Sequence, residues 1–184
     1  ENGGIALMGT YFKGDRINTK KTQGLFFLIA SAEGQTITTT KYPWRELRPL
    51  LRTRVPDWFF KLMPDVWVHA LEVSNDGTFT AVAELYRYSG EVTQMEGEKV
   101  KEKYHRIRML DFMLFNFSEN GEMTSADRIE RPHMVLKFDS EVSSGSSSLS
   151  HAAGQGPLKR GRAMKKAGAF TYRFHNVYDD GFIN

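Results

Sequence analysis

The stretch Asp111-Phe112-Met113-Leu114-Phe115-Asn116-Phe117-Ser118-Glu119-Asn120-Gly121 is apolar over a strand's length and stops on a Gly turn. A segment apolar on both parities cannot be an exposed strand, because successive side chains point to opposite faces and both need cover. Gly24-Leu25-Phe26-Phe27-Leu28-Ile29-Ala30-Ser31-Ala32-Glu33-Gly34 echoes it, with Ser in the eighth place and Gly in the eleventh. Upstream, Gly9-Thr10-Tyr11-Phe12 matches Ala83-Glu84-Leu85-Tyr86 in the same way. The second pair of matches is offset by 74 residues and the first by 87, so the later copy carries 13 extra residues between its matched segments. An insertion confined to a polar hairpin loop is where a repeat tolerates length.

Each unit therefore reads as strand, turn, strand, variable loop, core strand, Gly turn and outer strand. Four antiparallel strands of that kind make a propeller blade. The expected fold is all-β: antiparallel four-stranded, propeller-like units, two complete and a third partial. The alternative is a single β-sandwich with a short helical connector. The first unit and its aromatic, Pro-rich connector span residues 1–64, the second unit 65–132, and the partial third 133–184 with a Ser/Gly-rich basic insertion.

Along the chain, Ile5–Phe12 reads as a buried strand and Gln35–Lys41 as a Thr-rich outer strand. Trp44–Pro64 holds short helical turns, one of them beginning at Pro56. Val66–Val73, a Ser74-Asn75-Asp76-Gly77 turn and Thr78–Tyr86 form the next hairpin. Arg87–His105 reads as a charged loop, Glu122–Arg131 as an outer strand, and His133–Phe138 as the opening of the third unit. By composition Ser143–Pro157 is a flexible loop, and Ala169–Tyr178 alternates like a last strand.

Ala83-Glu84-Leu85-Tyr86, then Ile107–Phe117, Asn120-Gly121-Glu122 and Ile129-Glu130-Arg131 resemble a blade of an uncharacterised propeller-like family of Bacteroidetes-type bacteria. Gly9–Phe12 with Gly24–Leu28 resembles a second. The resemblance spans about residues 5–140 and implies an exported protein of the periplasm or cell surface, with no assigned activity. It departs in length, because two units and part of a third cannot close a ring of at least four blades. Self-association, or the remainder of a longer chain, would complete it.

Composition excludes several classes. There is no cysteine, hence neither a disulfide framework nor a thiolate metal site. No apolar run reaches the length of a membrane-spanning helix. The net charge of +3 is local: no acidic residue lies between Glu141 and Asp179, and six basic residues do. Without those six, 19 basic residues face 22 acidic ones.

Candidate chemistry is sparse. His69, His105, His133, His151 and His175 show no short ligand spacing, and Asn75-Asp76-Gly77 and Asp179-Asp180-Gly181 are turns, not calcium loops. No nucleophile elbow and no phosphate-cradling Gly-rich loop is present. Neither a metal nor a cofactor is expected. Glu84 is the one carboxylate in an otherwise apolar strand, and an arginine such as Arg87 or Arg108 is its expected partner. Trp44, Trp58 and Trp67 read as core before they read as a glycan platform, and the Asn116-Phe117-Ser118 sequon lies in a core strand.

The candidate binding residues are Lys159, Arg160, Arg162, Lys165 and Lys166, set beside the Ser/Gly-rich stretch as a basic loop. They lack interleaved aromatics, so nucleic acid is not the expected ligand. The resulting expectation is a binding or scaffold module, not an enzyme, that recognises a protein or glycan through inter-strand loops. The alternatives are a carbohydrate-active propeller enzyme, and a binder of anionic surfaces or nucleic acid through residues 159–166.

Overall fold

A computed structural model describes residues 4–12, 22–52, 64–139 and 157–170. The strands are β1 (Ile5–Tyr11), β2 (Gly24–Ala30), β3 (Thr36–Pro43), β4 (Asp65–Val73), β5 (Phe79–Glu96), β6 (Lys99–Phe117), β7 (Met123–Ile129) and β8 (Met134–Asp139). Among the described residues, two 3₁₀ turns, Trp44–Glu46 and Arg48–Leu50, follow β3, and a helix, α1 (Pro157–Lys166), follows β8. The chain is all-β and antiparallel: β1-β2-β3 form one sheet, β4-β5-β6-β7 the other, and β8 pairs with β6 beside β7.

The double-sided apolar strands explain the layering. Leu25 and Phe27 of β2 face Phe79, Ala81 and Ala83 of β5 and Met113, Phe115 and Phe117 of β6, forming the main core between the sheets. Phe27 stacks on Phe117 at 4.3 Å between ring centroids and meets Phe79 edge-on at 5.1 Å. The opposite face of the larger sheet carries a second, smaller cluster: Tyr86, Ile107 and Met109 pack against Ala163 and Met164 of α1 and against Phe170. The larger sheet is thus covered on both faces, by a sheet and by a helix. Among the described residues the two sheets pack on each other and no ring of blades is present.

Three hairpin turns share one construction. In Ser31–Gln35, Ser74–Thr78 and Ser118–Glu122 the first N–H bonds the last carbonyl, and the Gly N–H bonds the Ser carbonyl. Gly34, Gly77 and Gly121 all lie in the left-handed region, with φ of 81°, 81° and 77°. That conformation strains any L side chain, which is why Gly recurs there. At Gly121 space is also short, since an added Cβ would fall 3.0 Å from the Phe27 ring. Tyr42 ties this turn to the other sheet: its hydroxyl donates to the Gly121 carbonyl at 3.1 Å and accepts from the Met123 N–H at 2.7 Å.

Two expectations are corrected. Arg87–His105 is not a loop: β5 and β6 run through it as strands of 18 and 19 residues, joined by a two-residue turn at Gly97-Glu98. β8 pairs with β6 only from Tyr104 to Met109, so beyond it β5 and β6 continue as a narrow ribbon whose residues from Thr93 to Lys99 are exposed. A solvated ribbon needs no apolar alternation, and the charges therefore mimicked a loop. The basic run is not a loop either. Residues 157–166 are helical, and Gly168 (φ 67°) closes the helix with Gly168 N–H on Lys165 O and Ala169 N–H on Met164 O. The Pro56 turn, Trp58, the Ser/Gly stretch 143–156 and residues 171–178 of the last expected strand lie outside the described residues.

Candidate functional site

Three irregularities line up across the larger sheet. His69 is an extra residue of β4 between the pairs Val68–Ala83 and Ala70–Val82. On β6, Leu110 and Asp111 together stand opposite Leu85 alone. On the other edge of β6, the four residues Glu130–His133 between β7 and β8 face those same two. Pro132, which has no N–H to give to a ladder, sits in that widest bulge.

The bulges place charge where alternation would have placed apolar side chains. At Leu110–Asp111 the strand changes faces: Ile107 and Met109 point to α1, whereas Met113, Phe115 and Phe117 point to the smaller sheet. Two carboxylates are fully buried here, Glu84 on β5 and Asp111 in the β6 bulge. Glu84 lies 3.2 Å from His69 Nε2 and 2.5 Å from the Arg131 guanidinium. Asp111 accepts from Arg128 Nε at 2.7 Å, contacts His133 Nε2 at 3.2 Å and takes the Arg131 N–H at 3.4 Å. Arg131 thus joins the two groups. Its guanidinium lies over Phe112 at 4.8 Å, and its Nε donates to the Leu110 carbonyl.

The expected arginine partner of Glu84 is therefore corrected. Arg87 and Arg108 pair with each other across β5 and β6, and the arginine that reaches Glu84 is Arg131, from the far edge of the sheet. His69 completes the site. Sequence spacing hid this arrangement, because bulges set it.

This seam is a set of compensated charges, not an open acid–base pair. Each carboxylate faces a guanidinium and an imidazole, and burial makes such pairing obligatory. The seam meets solvent at the bulge, where Glu130, bonded to Arg128, and His133 are exposed.

The candidate basic residues divide. Arg160 is buried, 2.6 Å from Asp65 Oδ2 and stacked over Tyr88 at 4.4 Å, so it holds α1 to the sheet. Arg162, Lys165 and Lys166 are exposed along the outer side of the helix, with Lys165 reaching 5.8 Å from the Trp67 ring centre. Lys159 belongs to α1 as well. Burial pushes the Asp65 carboxyl up to about 6, against the opposing pull of Arg160. Burial likewise pushes Tyr86 well up.

The remaining candidates are internal. Trp44 is buried and donates from Nε1 to the Thr22 carbonyl at 3.1 Å. Asn116 spends its side chain on Thr80 and Ser125, each at 3.0 Å. His105 faces the Tyr88 hydroxyl at 2.9 Å, and Asp76 caps its own turn through the Thr78 N–H and hydroxyl. No group of three or more metal-ligating side chains occurs among the described residues, and no described helix is long and apolar enough to cross a membrane. Comparison with known proteins adds no relative: no family model, curated protein or solved structure matches the chain.

Proposed function

We propose that the chain is a non-enzymatic binding or scaffold module of repeated, propeller-like antiparallel units. Its recognition element is the projecting part of the β5–β6 hairpin, helped by the connector that follows β3. The observation that carries this reading is the contrast between the seam and the ribbon. The buried carboxylates of the seam are engaged with arginines inside the sheet. The ribbon instead presents Met95, half exposed, among charged residues, beyond the point where either sheet supports it. The repeat reading is supported by β1-β2-β3 and β5-β6-β7, two three-strand meanders whose second turns share one hydrogen-bond pattern. The carbohydrate-active alternative requires two carboxylates converging on a pocket, whereas the buried Glu84 and Asp111 each face a guanidinium and an imidazole.

A second reading, recognition of anionic surfaces, draws on the outward cations Arg162, Lys165 and Lys166. One experiment separates the two. In a trimmed variant, Asn-Gly replaces Thr93–Lys103 between the paired Val92 and Tyr104. The trimmed protein should melt within about 2 °C of the parent, since surface changes away from the core move stability little. It should also lose the cross-linked partner that the parent captures from its native source. Undiminished capture, together with salt-sensitive retention of both proteins on heparin, would transfer recognition from the ribbon to α1.

A further inference from the structure

The larger sheet changes character on the face turned away from α1. Leu85 and Leu110 still belong to the core between the sheets. Past them, Tyr86, Tyr88, Ile107, Met109 and Leu136 belong to the cluster under α1. Alternation therefore turns their neighbours Arg87, Arg106, Arg108 and Lys137 to the other face. Register packs these four cations together: Arg87 stands opposite Arg108, and Arg106 opposite Lys137. Such cross-strand partners have Cα atoms about 5 Å apart, and Arg106 and Arg108 are about 7 Å apart along β6. The Lys137 ammonium lies 4.5 Å from the centre of the Tyr104 ring, at one end of the group.

Two like-charged cross-strand pairs side by side oppose the sheet that holds them. Yet no carboxylate among the described residues forms an ion pair with any of the four. Asp111, beside Leu110, is already engaged with Arg128 and His133. On β8 the next position of the same parity is Asp139, opposite Tyr104. Arg106 Nε is also buried with no hydrogen-bond partner, which costs free energy until an acceptor meets it. Arg108 and Lys137 are exposed, so an acceptor can arrive from solvent.

We propose that Arg87, Arg106, Arg108 and Lys137 form a binding site for a compact oxyanion, a phosphate or sulfate group, free or carried on a small ester. Guanidinium forks match such oxygens with paired hydrogen bonds, and the lysine adds a point charge. The cations are clustered, not strung along a track with aromatic platforms, so the site suits one or two such groups better than a nucleic-acid strand. It lies on the opposite face of the sheet from α1, so it is independent of Arg162, Lys165 and Lys166.

Calorimetric titration of the full chain with pyrophosphate, at constant ionic strength, tests this. Binding should saturate at one site and weaken about tenfold or more in Arg106→Gln, the cost of losing a charged hydrogen-bond partner. Arg106→Lys, which keeps the charge without the fork, should fall between. Lys165→Gln with Lys166→Gln should leave the affinity unchanged. Melting supplies a second readout. Arg108 is exposed, and Arg108→Gln relieves a repulsion, so without ligand this variant should melt no lower than the parent. Pyrophosphate should raise the melting point of the parent and raise that of Arg108→Gln much less. Inorganic phosphate and phenyl phosphate, titrated in the same way, distinguish a free anion from an ester by which binds tighter. The proposal fails if pyrophosphate does not saturate, or if Arg106→Gln and Arg108→Gln bind it as the parent does. It fails equally if Arg108→Gln melts clearly below the parent without ligand, since the cations would then be compensated within the protein. Tighter binding of a single-stranded oligonucleotide than of pyrophosphate would overturn the compact ligand.

Discussion

Glu84→Ala should lower unfolding stability by about 3–5 kcal/mol, the range found when one partner of a buried ion pair is removed. The reason lies in what stays behind. Arg131 reaches Glu84 from the opposite edge of β6 across the Phe112 ring, and His69 reaches it from a bulge in β4. Without the carboxylate, a guanidinium only 12% exposed is left facing an imidazole only 6% exposed, and neither regains water. Glu84→Gln should cost less, because the amide keeps one acceptor for Arg131. Urea unfolding of the three proteins measures the order directly. If alanine and glutamine cost the same small amount, the seam is not a set of compensated buried charges.

Phe27→Ala is the second large effect, expected at about 3–5 kcal/mol, the usual cost of deleting a buried aromatic side chain. Phe27 is fully buried and is the point where the sheets interlock: it touches Phe117 of β6, Phe79 of β5 and the back of Gly121. Its two ring neighbours, Phe79 and Phe117, are held in strands, so the void closes only in part. For a chain of this size the loss corresponds to a melting point lower by about 10 °C. Phe26, the next residue along, lies on the other face over Gly9 and is only half buried, so Phe26→Ala should cost clearly less. Equal losses at the two positions would mean that the sheets do not pack through the Phe27 face.

Much of the larger architecture was legible. The two apolar segments are β2 and β6, their Ser and Gly residues make the same turn, and cover on both faces is what β6 receives. Alternation and turn chemistry are local signals, and they served where the structure is regular. They failed where pairing or helix docking decides. The ribbon of β5 and β6 is exposed from Thr93 to Lys99, so nothing there demands an apolar period that would mark it as strand. Helix α1 opens on Pro157 and closes with Gly168 in the left-handed conformation, a helix signature that the neighbouring Ser and Gly residues outweighed. Arg160 looked like its basic neighbours, and only the fold assigns it to Asp65. The partner of Glu84 could not be found by spacing, since Arg131 arrives through a bulge of four residues against two.

That bulge bears on how the sheet avoids assembling wrongly. A long strand such as β6, apolar for much of its length, could slide against its neighbours by two residues and still match inside with inside. Here a slip would carry Asp111 away from Arg128 and His133, and Glu84 away from Arg131, leaving charges buried in every offset but one. The seam thus acts as a key cut across the strands. It accepts a single alignment of β4 through β8, and an incorrectly threaded sheet is penalised in proportion to the charge it strands.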